Sequence, residues 1–249
     1  MLQNIIIMTP RAQQQLVLAA LLREHNPALS FTPAVTVEGL ATIAPESLRR
    51  SRLIAFTSGT IVPPETLDAL GHGAYNFHPG PPTYPGWAPA HFAWYERAKI
   101  FGATAHLMTE RVDAGPIVGT ETFIIPQGIS VRELEQIAYV RLAYLFWRLA
   151  RQLATQTEPL RTLPIEWGKG RSTRQMYESI CNIPLNISKE ELDRRIGAFH
   201  DDFRGIHPTV TLHGIKFRAV CEPVPKREEA TAQPSPAIED TRSNVRRRA

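Results

Sequence analysis

Apolar residues run continuously from Asn4 to Met8. They then recur at helical spacing between Gln13 and Arg23, at Leu16, Ala19, Ala20 and Leu22, so the chain is expected to open as a strand followed by a helix. The same reading places a strand over Leu29–Val37, a short helix over Pro45–Arg50 and a strand over Ser51–Thr57. Pro63 and Pro64 open a helix through Leu70, because proline in a first turn has no N–H bond to lose, and Gly71 and Gly73 stop it. Ala74–Phe77 reads as a short buried strand that runs directly into His78 and Pro79. Strands alternating with helices predict an α/β fold with an open, mostly parallel sheet, and ligands bind such sheets at the carboxyl ends of the strands.

From His78 to Pro89 the chain reads HPGPPTYPGWAP, with five prolines and two glycines, which forbid a regular helix or central strand and predict a rigid, shaped loop. Ala90–Arg97 resumes as a helix, Thr104–Met108 as a strand, Asp113-Ala114-Gly115 as a turn and Pro116–Ile125 as a strand. Ser130 then caps a long amphipathic helix to about Ala154, with Leu134, Ile137, Ala138, Leu142, Leu145, Phe146 and Leu149 on one face. A smaller α+β unit follows, with a helix at Thr173–Ile180, another from the N-cap Ser188 to Phe199, and a hairpin turning at His213-Gly214. We therefore expect a catalytic domain over residues 1–155, a small C-terminal subdomain over 156–224 and a disordered tail over 225–249, where Pro, Glu, Ala, Ser and Arg show no periodicity.

Composition narrows the function classes. The 249 residues carry a formal net charge of +4. Six Lys/Arg against four Asp/Glu in residues 225–249 account for +2 of it, so the remainder is nearly balanced and offers no clustered basic face for nucleic acid. No apolar run is long enough to cross a bilayer, and the N-terminus lacks the pattern of a secretory signal, so we expect a cytoplasmic protein without membrane partners. Cys181 and Cys221, the two cysteines, have no paired metal-ligand spacing and are expected to be packing residues.

The candidate chemistry sits at the end of the fourth strand. Asn76 and His78 share the two-residue period of a strand and face one cleft, bringing together an amide donor and an imidazole base. Acyl transfer needs both: a donor for the oxyanion of a tetrahedral intermediate and a base for the proton of an attacking amine. Asp113 either orients and charges that imidazole or caps its own turn.

Taken together, Asn76-Phe77-His78-Pro79, the proline-rich loop closing at Gly86, Gly102-Ala103-Thr104-Ala105-His106 and Val112-Asp113-Ala114-Gly115-Pro116-Ile117 resemble the signature of the 10-formyltetrahydrofolate-dependent formyltransferases. That family includes glycinamide ribonucleotide, methionyl-tRNA and sugar-nucleotide formyltransferases. The resemblance spans roughly residues 51–125 and implies a Rossmann-like formyltransferase domain, shortened on its N-terminal side, that uses 10-formyltetrahydrofolate as formyl donor. It implies that Asn76 polarises the formyl carbonyl, that His78 stabilises the oxyanion or accepts a proton, and that Asp113 sets the protonation of His78. It also implies that Ser58, Gly59, Thr60, Ile61, Val62 and Pro63, with Val112 and Gly115, hold the folate, and that no metal takes part.

The chain departs from the family pattern in several places. Gly80 follows His78-Pro79 where the family often has serine, Pro81-Pro82 replaces a leucine pair, and Thr9-Pro10-Arg11 stands where a glycine-rich turn is expected. The segment Ile187–His200 resembles the connector to the accessory domain of methionyl-tRNA and sugar formyltransferases, yet it ends in a single hairpin. A small amine such as an amino sugar nucleotide is therefore the expected acceptor, with tRNA as the alternative. Three other readings compete: a metal hydrolase using His72, His78, His91, His106 and Asp113; a serine hydrolase at Ser58-Gly59, which lacks a nucleophile turn; and an inactive folate-binding relative. The identity of the acceptor and the oligomeric state are open.

Overall fold

The computed structural model describes residues 1–200 and 203–220; the tail expected over 225–249 and Cys221 lie outside the described residues. Residues 1–219 pack as one compact unit. Its main sheet has six strands in the order β2-β1-β3-β4-β5-β6, made of β1 (Asn4–Met8), β2 (Ser30–Ala34), β3 (Ser51–Phe56), β4 (Ala74–His78), β5 (Ile100–Leu107) and β6 (Ile117–Ile124). The first four strands run parallel, while β5 lies antiparallel to β4 and β6 antiparallel to β5. The sheet is thus mostly parallel, and the simple strand–helix alternation ends at β4.

Side-chain alternation explains the layering. Ile5 and Ile7 join one core with Ile54, Phe56, Tyr75 and Phe77, while their neighbours Ile6 and Met8 join another with Leu53, Ala55 and Ala74. Helices cover both faces, as a buried parallel sheet requires, and all six residues of β3 are buried. Helix α1 (Ala12–Arg23) buries Leu18, Ala19 and Leu22 in the first core and leaves Leu16 exposed, so its inner face is rotated from the one the spacing indicated. The second core is closed by Leu40 of α2 (Val37–Ala41), Leu48 of α3 (Pro45–Leu48) and the flank of α4 (Pro64–Ala69). The α2 helix replaces the end of the expected second strand: Thr36 breaks the strand by capping it, accepting from the Gly39 N–H at 3.2 Å.

Helix α6 (Val131–Thr155) spans the first face, opened by a capping box in which Ser130 and Glu133 satisfy each other's backbone N–H groups. Its far end is held by an unexpected residue. Arg52 of β3 is fully buried, and its guanidinium donates to the carbonyls of Leu153 at 2.5 Å, Gln156 at 3.0 Å and His72 at 3.0 Å while lying 5.3 Å from the ring centre of Tyr75. The last carbonyls of a helix have no partners within it, so a buried cation there both satisfies them and opposes the helix dipole.

Helix α5 (Pro89–Tyr95) forms a third cluster with α7 (Arg174–Cys181) and α8 (Lys189–Phe199), where Phe92, Tyr177, Cys181 and Phe199 are buried together. Cys181 is buried there. Strand β7 (Asn182–Ile183) pairs with the hairpin of β8 (Thr209–Leu212) and β9 (Ile215–Arg218), whose turn puts His213 and Gly214 at φ 49° and 81°.

Candidate active site

Asn76 and His78 lie at the carboxyl end of β4, where the parallel part of the sheet stops, and their two-residue spacing puts both side chains in one cavity of about 360 Å³. Asp113 reaches the same cavity from the β5–β6 connection, at φ 45°, a left-handed conformation that Asp tolerates better than most residues. The three residues meet. The Asn76 amide donates to Asp113 Oδ1 at 3.2 Å, and His78 Nδ1 lies 3.3 Å from Asp113 Oδ2.

A fourth polar residue completes the group. Antiparallel pairing sets His106 of β5 directly opposite Asn76, with His106 Nε2 3.1 Å from the Asn76 amide nitrogen and 3.2 Å from Asp113 Oδ1. His106 Nδ1 sits 2.7 Å from the Leu107 carbonyl, which can only accept, so Nδ1 carries a proton, while Nε2 lies between the Asn76 amide and the Asp113 carboxylate. Sequence reasoning placed His106 in the family motif and among possible metal ligands but not in the site. The signal that finds it is the register Asn76↔His106, which needs the antiparallel arrangement of β5.

The electrostatics follow from burial and these contacts. Asp113 is only 5% exposed; burial disfavours its charge, but His78, His106 and the Gly86 N–H at 2.8 Å outweigh that and hold its carboxyl down at about 2. The bond to Gly86 also means that Asp113 both serves the imidazole and pins the loop. Burial lowers the pKa of His78, against the pull of Asp113 in the other direction. His78 Nε2 lies 3.0 Å from the Tyr84 carbonyl. Both ring nitrogens therefore face acceptors, and the single proton of a neutral ring serves only one of them. Protonation would satisfy both, so the pair is built to receive a proton that burial keeps away from it at rest.

The proline-rich loop is held by close backbone approaches. A side chain at Gly80 would place its first carbon 2.6 Å from His78 Nε2 and 2.8 Å from Pro89, so this loop has no room for the serine common in the resembling family. Thr104 fixes the turn by donating to the Gly80 carbonyl at 2.8 Å. Gly86, at φ 100°, abuts the backbone of Ser172, where any side chain would overlap the Ser172 carbonyl. That contact belongs to a strap over residues 160–173 that closes one side of the cavity. Trp87 N–H donates to Ser172 O at 3.0 Å, Ser172 N–H to Pro85 O at 3.0 Å and Gly168 N–H to Pro82 O at 2.8 Å. Trp167 of the strap donates to the Gly115 carbonyl at 2.8 Å and presents its ring edgewise to His106 and His78, at 4.9 and 6.1 Å between ring centres. Sequence reasoning missed the strap, which has no periodicity to mark it.

Ser58, Gly59, Thr60, Ile61, Val62 and Val112 all line the cavity, as do Gly86 and Trp87. Pro63 lies outside the lining as the N-cap residue of α4, while Gly115 lines a neighbouring cavity. His72 and His91 do not line the first cavity, and among the described residues no group of His, Cys, Asp and Glu could hold a metal ion. Among the same residues no helix is long and apolar enough to cross a membrane.

Comparison with known proteins places this geometry. The family described as "Formyl transferase" matches residues 48–139, which carry Asn76, His78, His106 and Asp113. Over 206 residues the chain is 25% identical to methionyl-tRNA formyltransferase of Clostridium beijerinckii, covering 81% of this chain and 63% of that relative's length. The fold is similar to the X-ray structure of a sugar N-formyltransferase from Shewanella, with a TM-score of 0.71 at 17% identity over 89% of this chain and 99% of that one. It is also similar to an N-formyltransferase from Helicobacter canadensis in complex with folinic acid and dTDP-3-aminofucose, with a TM-score of 0.61 at 14% identity, over 86% of this chain and 85% of that one.

Proposed function

We propose that this chain, whose residues 48–139 match the formyl transferase family, is an enzyme that moves a formyl group from 10-formyltetrahydrofolate to the amine of a small acceptor such as an amino sugar nucleotide. The observation that carries this reading is the convergence of Asn76, His78 and Asp113 on one cavity that Ser58–Val62 also line. The folate donor suits that cavity, which is of small-molecule size and mixes apolar surface with backbone.

In this reading the Asn76 amide, held by Asp113 and His106, shares an N–H with the formyl oxygen and stabilises the negative charge that develops as the amine attacks. The amine nitrogen bonds to the formyl carbon, and the proton it loses goes to the buried His78–Asp113 pair, where an imidazolium satisfies both Tyr84 and Asp113. When the bond from the formyl carbon to the folate nitrogen breaks, that nitrogen takes a proton back and tetrahydrofolate leaves. Asp113 stays ionised throughout and orients both partners.

The test is a mixture of purified protein and 10-formyltetrahydrofolate with a panel of amines, read as tetrahydrofolate released and as the mass of one formyl group gained by an amine. Transfer that depends on the amine and fails in His78→Ala supports the reading; full turnover in His78→Ala would sink the assignment. Folate binding without transfer to any amine would favour the inactive-relative reading.

A further inference from the structure

A second cavity adjoins the first, and the two share Arg111, Val112, Asp113 and Arg171 as a common wall. Its other lining comes from Pro85, from Ala114–Pro116 and from Ile165–Lys169 of the strap. Lys169 and Glu166 are charged residues that line only this cavity, so three cations, Arg111, Lys169 and Arg171, line it with Glu166 and the buried Asp113, whose charge is already engaged by His78, His106 and Gly86. Arg171 donates to the Val112 carbonyl at 3.1 Å, and no ion pair among the described residues takes up the charge of any of the three.

Formyl transfer requires two substrates to reach Asn76, His78 and Asp113 together, and a single chamber lined by Ser58–Val62 accounts for one of them. Resting on the function proposed above, we propose that the second cavity is the acceptor subsite and that Arg111, Lys169 and Arg171 bind a phosphate or diphosphate carried by the amine. Guanidinium groups pair with phosphate oxygens through two parallel N–H bonds, and a lysine adds a point charge. The amine of an acceptor anchored there enters past Asp113 as the neutral nucleophile and loses its one proton to the His78–Asp113 pair as proposed above. Lys169 lines only this cavity, so it separates the two sites experimentally.

The same cations would also attract the carboxylates of a polyglutamyl folate tail, so the experiment uses both anions. Calorimetric titrations of the full chain are run with inorganic pyrophosphate, with monoglutamyl 5-formyltetrahydrofolate and with its triglutamyl form, on wild type and on Lys169→Glu. The expected result is pyrophosphate binding weakened about tenfold or more by Lys169→Glu, with the monoglutamyl folate unchanged as proof of an intact fold. Absence of pyrophosphate binding to wild type, or binding indifferent to Lys169→Glu, overturns the proposal. So does a loss confined to the triglutamyl folate, which would give the cavity to the donor. Failure of both folates to bind wild type would refute the proposed function itself, a result distinct from failure of the pyrophosphate arm.

Discussion

Two buried charges, one on β3 and one in the connection between β5 and β6, are satisfied in opposite ways. Arg52 on β3 is surrounded by backbone carbonyls at the end of α6, fixed groups that neither titrate nor move. Asp113 is surrounded by two histidines, an amide side chain and one backbone N–H, and of these His78 has a ring that can accept a proton. The first arrangement is a structural anchor. The second is a chemical device, because one of its partners can take up and release a proton.

The comparison is broken most severely at Asp113. Asp113→Asn should lower transfer by about a thousandfold while the folded protein still forms, since acid–base partners of this kind contribute about 10²–10⁴ in rate; steady-state kinetics beside a thermal melt check it. Arg52→Met should do the reverse. It leaves the carbonyls of His72, Leu153 and Gln156 without their donor and should destabilise the fold by about 3 kcal/mol, measured by urea titration, with little change in kcat for the folded fraction. If Arg52→Met instead lost activity at unchanged stability, the distinction between anchor and device would fail.

Gly80→Ser tests how tightly the site is bounded. A side chain there meets His78 Nε2, so we expect kcat to fall by about tenfold through a displaced imidazole, with folate binding altered less.

Acidification sharpens the contrast further. His78 and Asp113 both have folded pKa values below their unfolded ones, so the unfolded chain binds more protons and both groups stabilise the fold more as pH rises. The contribution of His78 is complete above its ordinary value of 6.5 and fades as pH falls through its lowered folded value; that of Asp113 is complete above 3.8 and is lost toward 2. The acid limb of kcat/KM should therefore lie below pH 6.5. In Asp113→Asn the His78 ring, followed by NMR, should titrate lower still, because the carboxylate that favours its charge is gone. The smallest effect belongs to Trp167→Phe, which removes the bond to the Gly115 carbonyl and should cost about 1 kcal/mol of stability in a thermal or urea melt.

Much of this arrangement was legible in residue order. The central strands announced themselves through apolar runs, and the period of two along β4 was enough to put Asn76 and His78 on one side of it. Ser130 and Ser188 marked helix starts because a hydroxyl cap is a local interaction. What escaped was non-local. Nothing in Ser-Arg-Leu-Ile-Ala-Phe shows that the arginine is buried, since its partners lie about a hundred residues away at the end of α6. His106 becomes a site residue only through the antiparallel register of β5 with β4. The first half of β5, Ile100–Ala103, was missed, and α2 is a single short turn of helix containing Gly39, too brief for a periodic signal.

The backbone bridge between Gly86 and Ser172 has a further consequence for how the chain can be divided. All four polar residues precede α6, yet part of the lining, Arg171–Thr173, arrives after it, so a fragment ending at Thr155 would keep every motif residue and lose one side of the chamber. Inventories of motif residues would score such a fragment as intact. Its behaviour would be that of a reaction vessel left open, with solvent reaching the imidazole that the strap now shelters.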